Sequence, residues 1–362
     1  MTRTSRFKLP SRAILSAAGL LFAVVLAEGI LRAIPPLGPE FILAGTTHSI
    51  DNSIFQDDVG LRVVLAPNVE TEGFTTNGWG IRGQKAGPKF ADAKRVLAIG
   101  DSFTLGLQVT DEQTFSALLS SSLGPKIQVF NAGVPGYGTE QATQLMKRLA
   151  PEIQADAALL TVYTGNDFRD NHKWAQSPGL PTEPPPVQAP PPQPPQWMSK
   201  LSKYSRVIST YLMYSALRNR EKDFRMEEFK DEILPFADRD HLNQLGPPTR
   251  TAMERFWNAC NQIGLRCAVA IVPPAFVVHP DRVKRTFEAF GLDVAKAQLE
   301  APQSMMKRSV PKGIPVIDLT EALQARADER PYLVFDPHFS AVGHEITASA
   351  LTPFIQDLVT SQ

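Results

Sequence analysis

Apolar positions along the chain follow two regimes. Near the N-terminus, residues 13–27 are apolar apart from Ser16; Glu28 interrupts, and 29–34 close the run, broken only by Arg32, before Pro35 and Pro36. From residue 95 onward, short apolar runs alternate with longer amphipathic stretches. Residues 96–99, 127–130, 157–163, 267–272 and 314–319 read as strands. Residues 112–123, 139–149, 251–263 and 345–359 read as helices; in the first of these, Phe115, Leu118 and Leu119 share one side. Near-continuous apolar strands separated by helices imply a parallel sheet covered on both faces. The expected fold class is therefore α/β, a three-layer α/β/α sandwich with a central parallel five-stranded sheet.

Three stretches fall outside the alternation. Residues 37–90 are mixed, with short strands at 60–64 and 71–76 and a turn at Asn77-Gly78-Trp79-Gly80. They read as a juxtamembrane β-rich segment packed on the main domain. Residues 177–197 hold ten prolines within 178–195 and should form an exposed polyproline II linker. It is either an inert spacer or a docking site for a partner. Residues 198–245 read as a helical insertion, with Tyr204, Tyr211 and Tyr214 among apolar residues and a charged run at 218–232. The main domain is then 91–362, interrupted by these last two.

The N-terminus carries Arg3, Arg6, Lys8 and Arg12 and no acid within its first twelve residues. Two readings fit residues 1–36. A signal peptide would be cleaved after Val25-Leu26-Ala27. An uncleaved anchor would use 13–34, since ~20 apolar residues cross the hydrocarbon. The anchor is preferred, because helical apolar spacing continues past the candidate cleavage site. Either way, positive charge stays inside and the rest of the chain lies outside the cytoplasm. In a bacterium that is a single-pass inner-membrane protein with its main domain in the periplasm.

Composition narrows the ligand. The chain has 37 basic and 37 acidic residues, so its net charge is zero. Nucleic acid is not an expected partner, because phosphate binding needs a clustered basic surface. A 43% hydrophobic content excludes global disorder. Cys260 and Cys267 are the two cysteines, too few for a disulfide scaffold. The compartment permits a bridge between them around Gly264, and the sequence leaves that open. No HExxH, HxH or GxxxxGK[ST] motif occurs, and no metal or cofactor is expected.

In open parallel sheets, ligands bind outside the carboxyl ends of the strands. The first three strands are followed by Gly100-Asp101-Ser102-Phe103-Thr104, the turn 131–138 and Thr164-Gly165-Asn166-Asp167; nearer the C-terminus lies Asp336-Pro337-His338, ahead of His344. A serine, a glycine-rich turn, an asparagine and an Asp/His pair are the parts of a nucleophilic hydrolase. His344 reads as a packing residue at a helix start.

The blocks GDSFT, NAGVPGYG, GND and DPHFSAVGH resemble the four blocks of the SGNH (GDSL-like) hydrolase superfamily, in order, over roughly 95–170 and 250–360. The stretch 77–83 resembles membrane-anchored bacterial members. The resemblance implies an SGNH/flavodoxin-like sheet and a serine esterase acting through an acyl-enzyme on Ser102. It further implies His338 as base, Asp336 as its orienting acid, and an oxyanion hole from Ser102, Gly133 and Asn166. The spacing DxH departs from the commoner DxxH. The substrate would be an acyl ester of an envelope glycan or lipid. Two alternatives stand beside hydrolysis: an O-acyltransferase modifying a cell-envelope polysaccharide, and a non-enzymatic envelope scaffold.

Overall fold

Seven-residue apolar runs leave both faces of a strand in need of cover, and that dictates the layering. The computed structural model describes residues 11–33, 54–71, 73–83, 87–177, 205, 207–208, 210–211, 226–333 and 337–360. They belong to two units: Met1–Gly45 with Pro185–Phe224, and Thr46–Pro184 with Arg225–Gln362.

In the first unit, Ser11–Ala33 is one helix with Leu20, Phe22, Val25 and Ile30 exposed. Glu28, its one acid, pairs with Arg32 at 2.8 Å and accepts hydrogen bonds from Ser205 Oγ at 2.9 Å and Val207 N–H at 3.1 Å. Among the described residues no helix is long and apolar enough to cross a membrane.

The second unit begins with two small hairpins, β1 (Phe55–Asp58) with β2 (Arg62–Leu65) and β3 (Glu70–Thr71) with β4 (Phe74–Thr75). The main strands are β5 (Lys94–Gly100), β6 (Ile127–Gly133), β7 (Ala157–Tyr163), β8 (Arg266–Val272) and β9 (Val316–Asp318). They form one parallel five-stranded sheet in the order β6-β5-β7-β8-β9. The fold is α/β. Strand order reverses between β5 and β7, so a crevice is expected outside their carboxyl ends.

Alternation along each strand feeds two cores. Leu97 and Ile99 of β5 face the core built with helices Thr139–Ile153 and Arg239–Ile263. Val96 and Ala98 face the core built with Phe115–Leu123 and Ala341–Thr360. The N-terminal hairpins add Ile54, Leu61, Leu65, Phe74 and Ile81 to the first core. They are further tied by hydrogen bonds from Tyr137 Oη to the Val63 carbonyl and from Gln141 Nε2 to the Leu61 carbonyl.

Several boundaries differ from the sequence expectation. The helix expected at 251–263 runs Arg239–Ile263 and includes Pro247 and Pro248. Its buried stripe of Leu242, Leu245, Met253 and Phe256 outweighs the two lost backbone donors, and Thr249 Oγ1 donates to the Leu245 carbonyl at 3.0 Å. With Met226–Ile233 also helical, the second unit resumes before residue 245. Residues 273–313, where the strand–helix pattern marks no helix, hold Ala275–Val278, Asp281–Ala289 and Ala301–Ser309. The proline run at 178–195 lies outside the described residues.

Cys260 and Cys267 form a disulfide with Cα atoms 6.2 Å apart, joining the end of helix Arg239–Ile263 to β8. Closing so short a loop should contribute about 2.5 kcal/mol. The unfolded, unreduced protein should show no titratable thiol. Urea unfolding of Cys260→Ala/Cys267→Ala should show a loss of about that size.

Candidate active site

At the end of β5 the chain turns into a one-turn helix, Ser102–Leu105. Gly100 has φ +150°, and a Cβ there would lie 2.4 Å from Thr104 Oγ1 and 2.5 Å from the Thr161 carbonyl oxygen. Only glycine fits so close an approach. Asp101 caps the helix, its Oδ1 accepting the Phe103 N–H at 2.9 Å. Ser102 thus opens the helix at the carboxyl end of β5. No described residue accepts a hydrogen bond from its N–H.

A second segment brings the histidine. Tyr332 and Phe339 pair across an isolated bridge, and Leu333 N–H donates to the His338 carbonyl at 3.1 Å. Tyr332 Oη donates to the Pro273 carbonyl and fixes this loop to the end of β8. The His338 ring lies 4.9 Å from Phe103, which stacks on Tyr163 at 4.1 Å. His338 Nε2 stands 2.7 Å from Ser102 Oγ. Asp336 lies outside the described residues.

The chain matches the GDSL-like Lipase/Acylhydrolase family over residues 98–346, more than half its length. It belongs to that family. It is accordingly a hydrolase acting on ester bonds. No curated protein matches it. Among solved structures, it is similar to a putative lipolytic protein of the G-D-S-L family from Desulfitobacterium hafniense, at 16% identity over 72% of this chain and 98% of that one, with TM-score 0.34. It is also similar to the lipase/acylhydrolase from Enterococcus faecalis, at 13% identity over 73% and 95%, with TM-score 0.35. A third is a carbohydrate acetylesterase family member from Sinorhizobium meliloti, at 10% identity over 74% and 99%, with TM-score 0.35.

The acylhydrolase site departs from the sequence expectation at Gly133. Its N–H is donated to Asn131 Oδ1 at 3.1 Å, and a Cβ there would lie 2.3 Å from the Leu105 nitrogen. Gly133 is a packing residue under helix Ser102–Leu105, and its amide is already engaged. Three residues on, Gly136 is exposed, has φ +75° and has no described acceptor for its N–H. Pro135-Gly136 is the sequence signal for a type II turn, which leaves that N–H outward.

Asn166 opens helix Asp167–Gln176, yet its side chain does not cap it. Its Oδ1 has no hydrogen-bond partner among the described residues. Asn171, buried on the same helix, accepts the Thr139 N–H at 2.8 Å and donates to Thr139 Oγ1 at 3.2 Å. It thereby ties the Gly136 turn to the Asn166 helix, a link that sequence spacing did not signal.

Carboxyl groups around these residues are buried. Burial pushes the Asp101 carboxyl up to about 6, against its bond from Phe103 N–H and the charge of His338. Burial, then the Asp101 charge, holds Asp167 well above the usual range. Burial lifts Glu232 to about 7 against its Arg169 partner at 3.1 Å.

His344 is packed away from Ser102. It stacks near Phe115, and its Nδ1 accepts the Phe115 N–H at 3.2 Å. Burial, then the charges of Arg82 and His338, lowers it to about 3. The unfolded chain takes up this proton near pH 6.5 and the folded chain does not. His344 therefore costs no stability above pH 6.5 and an increasing amount as pH falls from 6.5 toward 3. Over that window the loss should approach ~1.4 kcal/mol per pH unit. His344→Gln should remove this slope when urea midpoints are compared between pH 4 and 7.

Proposed function

We propose that this acylhydrolase is an extracytoplasmic serine esterase, tethered to a membrane by its N-terminal helix. Ser102 carries the acyl group, and the observation that supports this best is the 2.7 Å contact between Ser102 Oγ and His338 Nε2. In this reading Ser102 Oγ attacks the ester carbonyl carbon while its proton passes to His338 Nε2. The carbonyl oxygen becomes an oxyanion held by the Ser102 N–H, the Asn166 side-chain amide and the Gly136 N–H. Collapse breaks the ester bond, and His338 returns the proton to the departing alkoxide. Water then attacks the acyl-enzyme, with His338 as base, and the acid product leaves. Asp336, two residues before His338 in the chain, is assigned to orient and steady the imidazolium.

Two observations support the compartment and the tether. The Cys260–Cys267 disulfide fits an oxidising environment. The apolar run 13–34, taken whole, follows four basic residues, and its helix leaves large apolar side chains exposed.

A fluorophosphonate probe followed by an ester panel tests the chemistry. Wild type should be labelled and Ser102→Ala should not; labelling that survives the substitution overturns the assignment. His338→Ala should lower kcat by ~10³-fold or more, whereas His344→Gln should keep kcat near wild type. Deleting 1–36 should move the protein from the membrane to the soluble fraction with hydrolysis of short esters intact. Full-length protein that is washed off membranes at alkaline pH would remove the tether.

A further inference from the structure

We propose that Arg82, from the stretch Asn77-Gly78-Trp79-Gly80-Ile81-Arg82-Gly83, is a positioning residue of the active site, its guanidinium fixing the helix that carries Ser102. The inference rests on Ser102 being the nucleophile.

Arg82 lies outside the family match, and its side chain is 1% exposed. A buried guanidinium is costly unless every donor is met. Here all are met. Nε donates to Asp111 Oδ1 at 2.7 Å. Nη1 donates to the carbonyls of Leu105, at 2.7 Å, and Gly106. Nη2 donates to the carbonyls of Val109, at 2.6 Å, and Gly73, at 3.3 Å. Five donors meet five acceptors. The Phe74 ring lies under the charge at 4.8 Å. Asp111 is itself fixed by the Thr75 N–H at 2.9 Å and Thr75 Oγ1 at 2.6 Å.

The acceptors are the point. Helix Ser102–Leu105 is a single turn, too short to hold itself, and its last carbonyls have no partner within it. Asn131 Nδ2 takes the Thr104 carbonyl at 2.8 Å, and Arg82 takes those of Leu105 and Gly106. The two clamps are themselves joined, since Arg82 N–H donates to the Asn131 carbonyl at 3.0 Å. At the other end of this turn stand the Ser102 hydroxyl and N–H. A helix free to slide would carry both away from His338 Nε2 and from the oxyanion position together. Arg82 touches neither substrate nor reacting atoms and acts only through the helix. Lysine cannot replace it, because three donors on one nitrogen cannot span carbonyls spread from Leu105 to Val109.

Arg95 supplies the control. It is also buried, and its guanidinium binds the carbonyls of Ile153, at 3.0 Å, and Gly87, at 2.6 Å, near the opposite end of β5. Full-length Arg82→Lys and Arg95→Lys are compared with wild type on a p-nitrophenyl ester, with rates corrected for folded protein. Both should unfold at lower urea. Arg82→Lys should lose kcat by on the order of 10- to 100-fold, with KM within about threefold and a parallel fall in fluorophosphonate labelling rate. Arg95→Lys should keep its kcat. Wild-type kcat in folded Arg82→Lys overturns the proposal, and so does an equal kcat loss in both variants. Should Arg82→Lys fail to fold, the pair Arg82→Gln/Asp111→Asn removes both charges and leaves no lone buried ion. The same kcat loss is expected there, and full kcat overturns the proposal. Ser102→Ala separates the two failures: activity surviving in it overturns the nucleophile reading, whereas its inactivity beside a fully active Arg82 variant overturns only the role of Arg82.

Discussion

The Thr161 carbonyl oxygen of β7 lies where a side chain on residue 100 would have to begin. That contact sets the direction in which the chain can leave β5. With no Cβ at Gly100, β5 and β7 pair up to Ile99 and Leu160, and the backbone then bends at once into the helix that opens with Ser102. The turn falls at the reversal in strand order, where the crevice of an open sheet must lie. Strand pairing therefore decides where the hydroxyl stands, before any loop contributes.

The sheet was legible because buried parallel strands announce themselves as apolar runs; β5, β6, β7 and β8 each fall within a residue or so of at least one expected end. β9 is shorter than the run 314–319 because Pro315 lacks an N–H for the ladder and the strand is at the edge. Helix Arg239–Ile263 starts ahead of the expected 251 because the buried stripe around Pro247 and Pro248 carries it through a proline pair that would ordinarily break it. Short motifs single out Ser102, Asn166 and His338; strand ends carry the first two, whereas His338 comes on the loop that the Tyr332–Phe339 bridge and the Tyr332–Pro273 bond hold beside the end of β8. Gly133 and Gly136 could not be told apart that way. Both sit in one glycine-rich turn, and what distinguishes them is where an N–H points, which Asn131 decides. Arg82 was invisible as a site residue because the three carbonyls it holds at Leu105, Gly106 and Val109 lie 23 to 27 positions away in the chain.

The polar residues beneath the site divide the work. Asn131 and Arg82 hold carbonyls, Asn171 joins two loops, and Asp101 caps the helix. Each is buried and each hydrogen-bonds at least one backbone group. A rigid crevice follows from backbone atoms being held by side chains whose own rotamers are locked by packing.

The order of these parts along the chain also fixes when the site comes into being. Ser102, Gly136 and Asn166 all precede the proline run at 178–195, and three of the five main strands are complete by Tyr163. His338 comes after all five of these strands. On the proposed roles, Ser102 is therefore made long before the histidine assigned as its base. Until then the growing polypeptide holds Ser102 without the ring nitrogen that stands 2.7 Å from its hydroxyl in the folded protein.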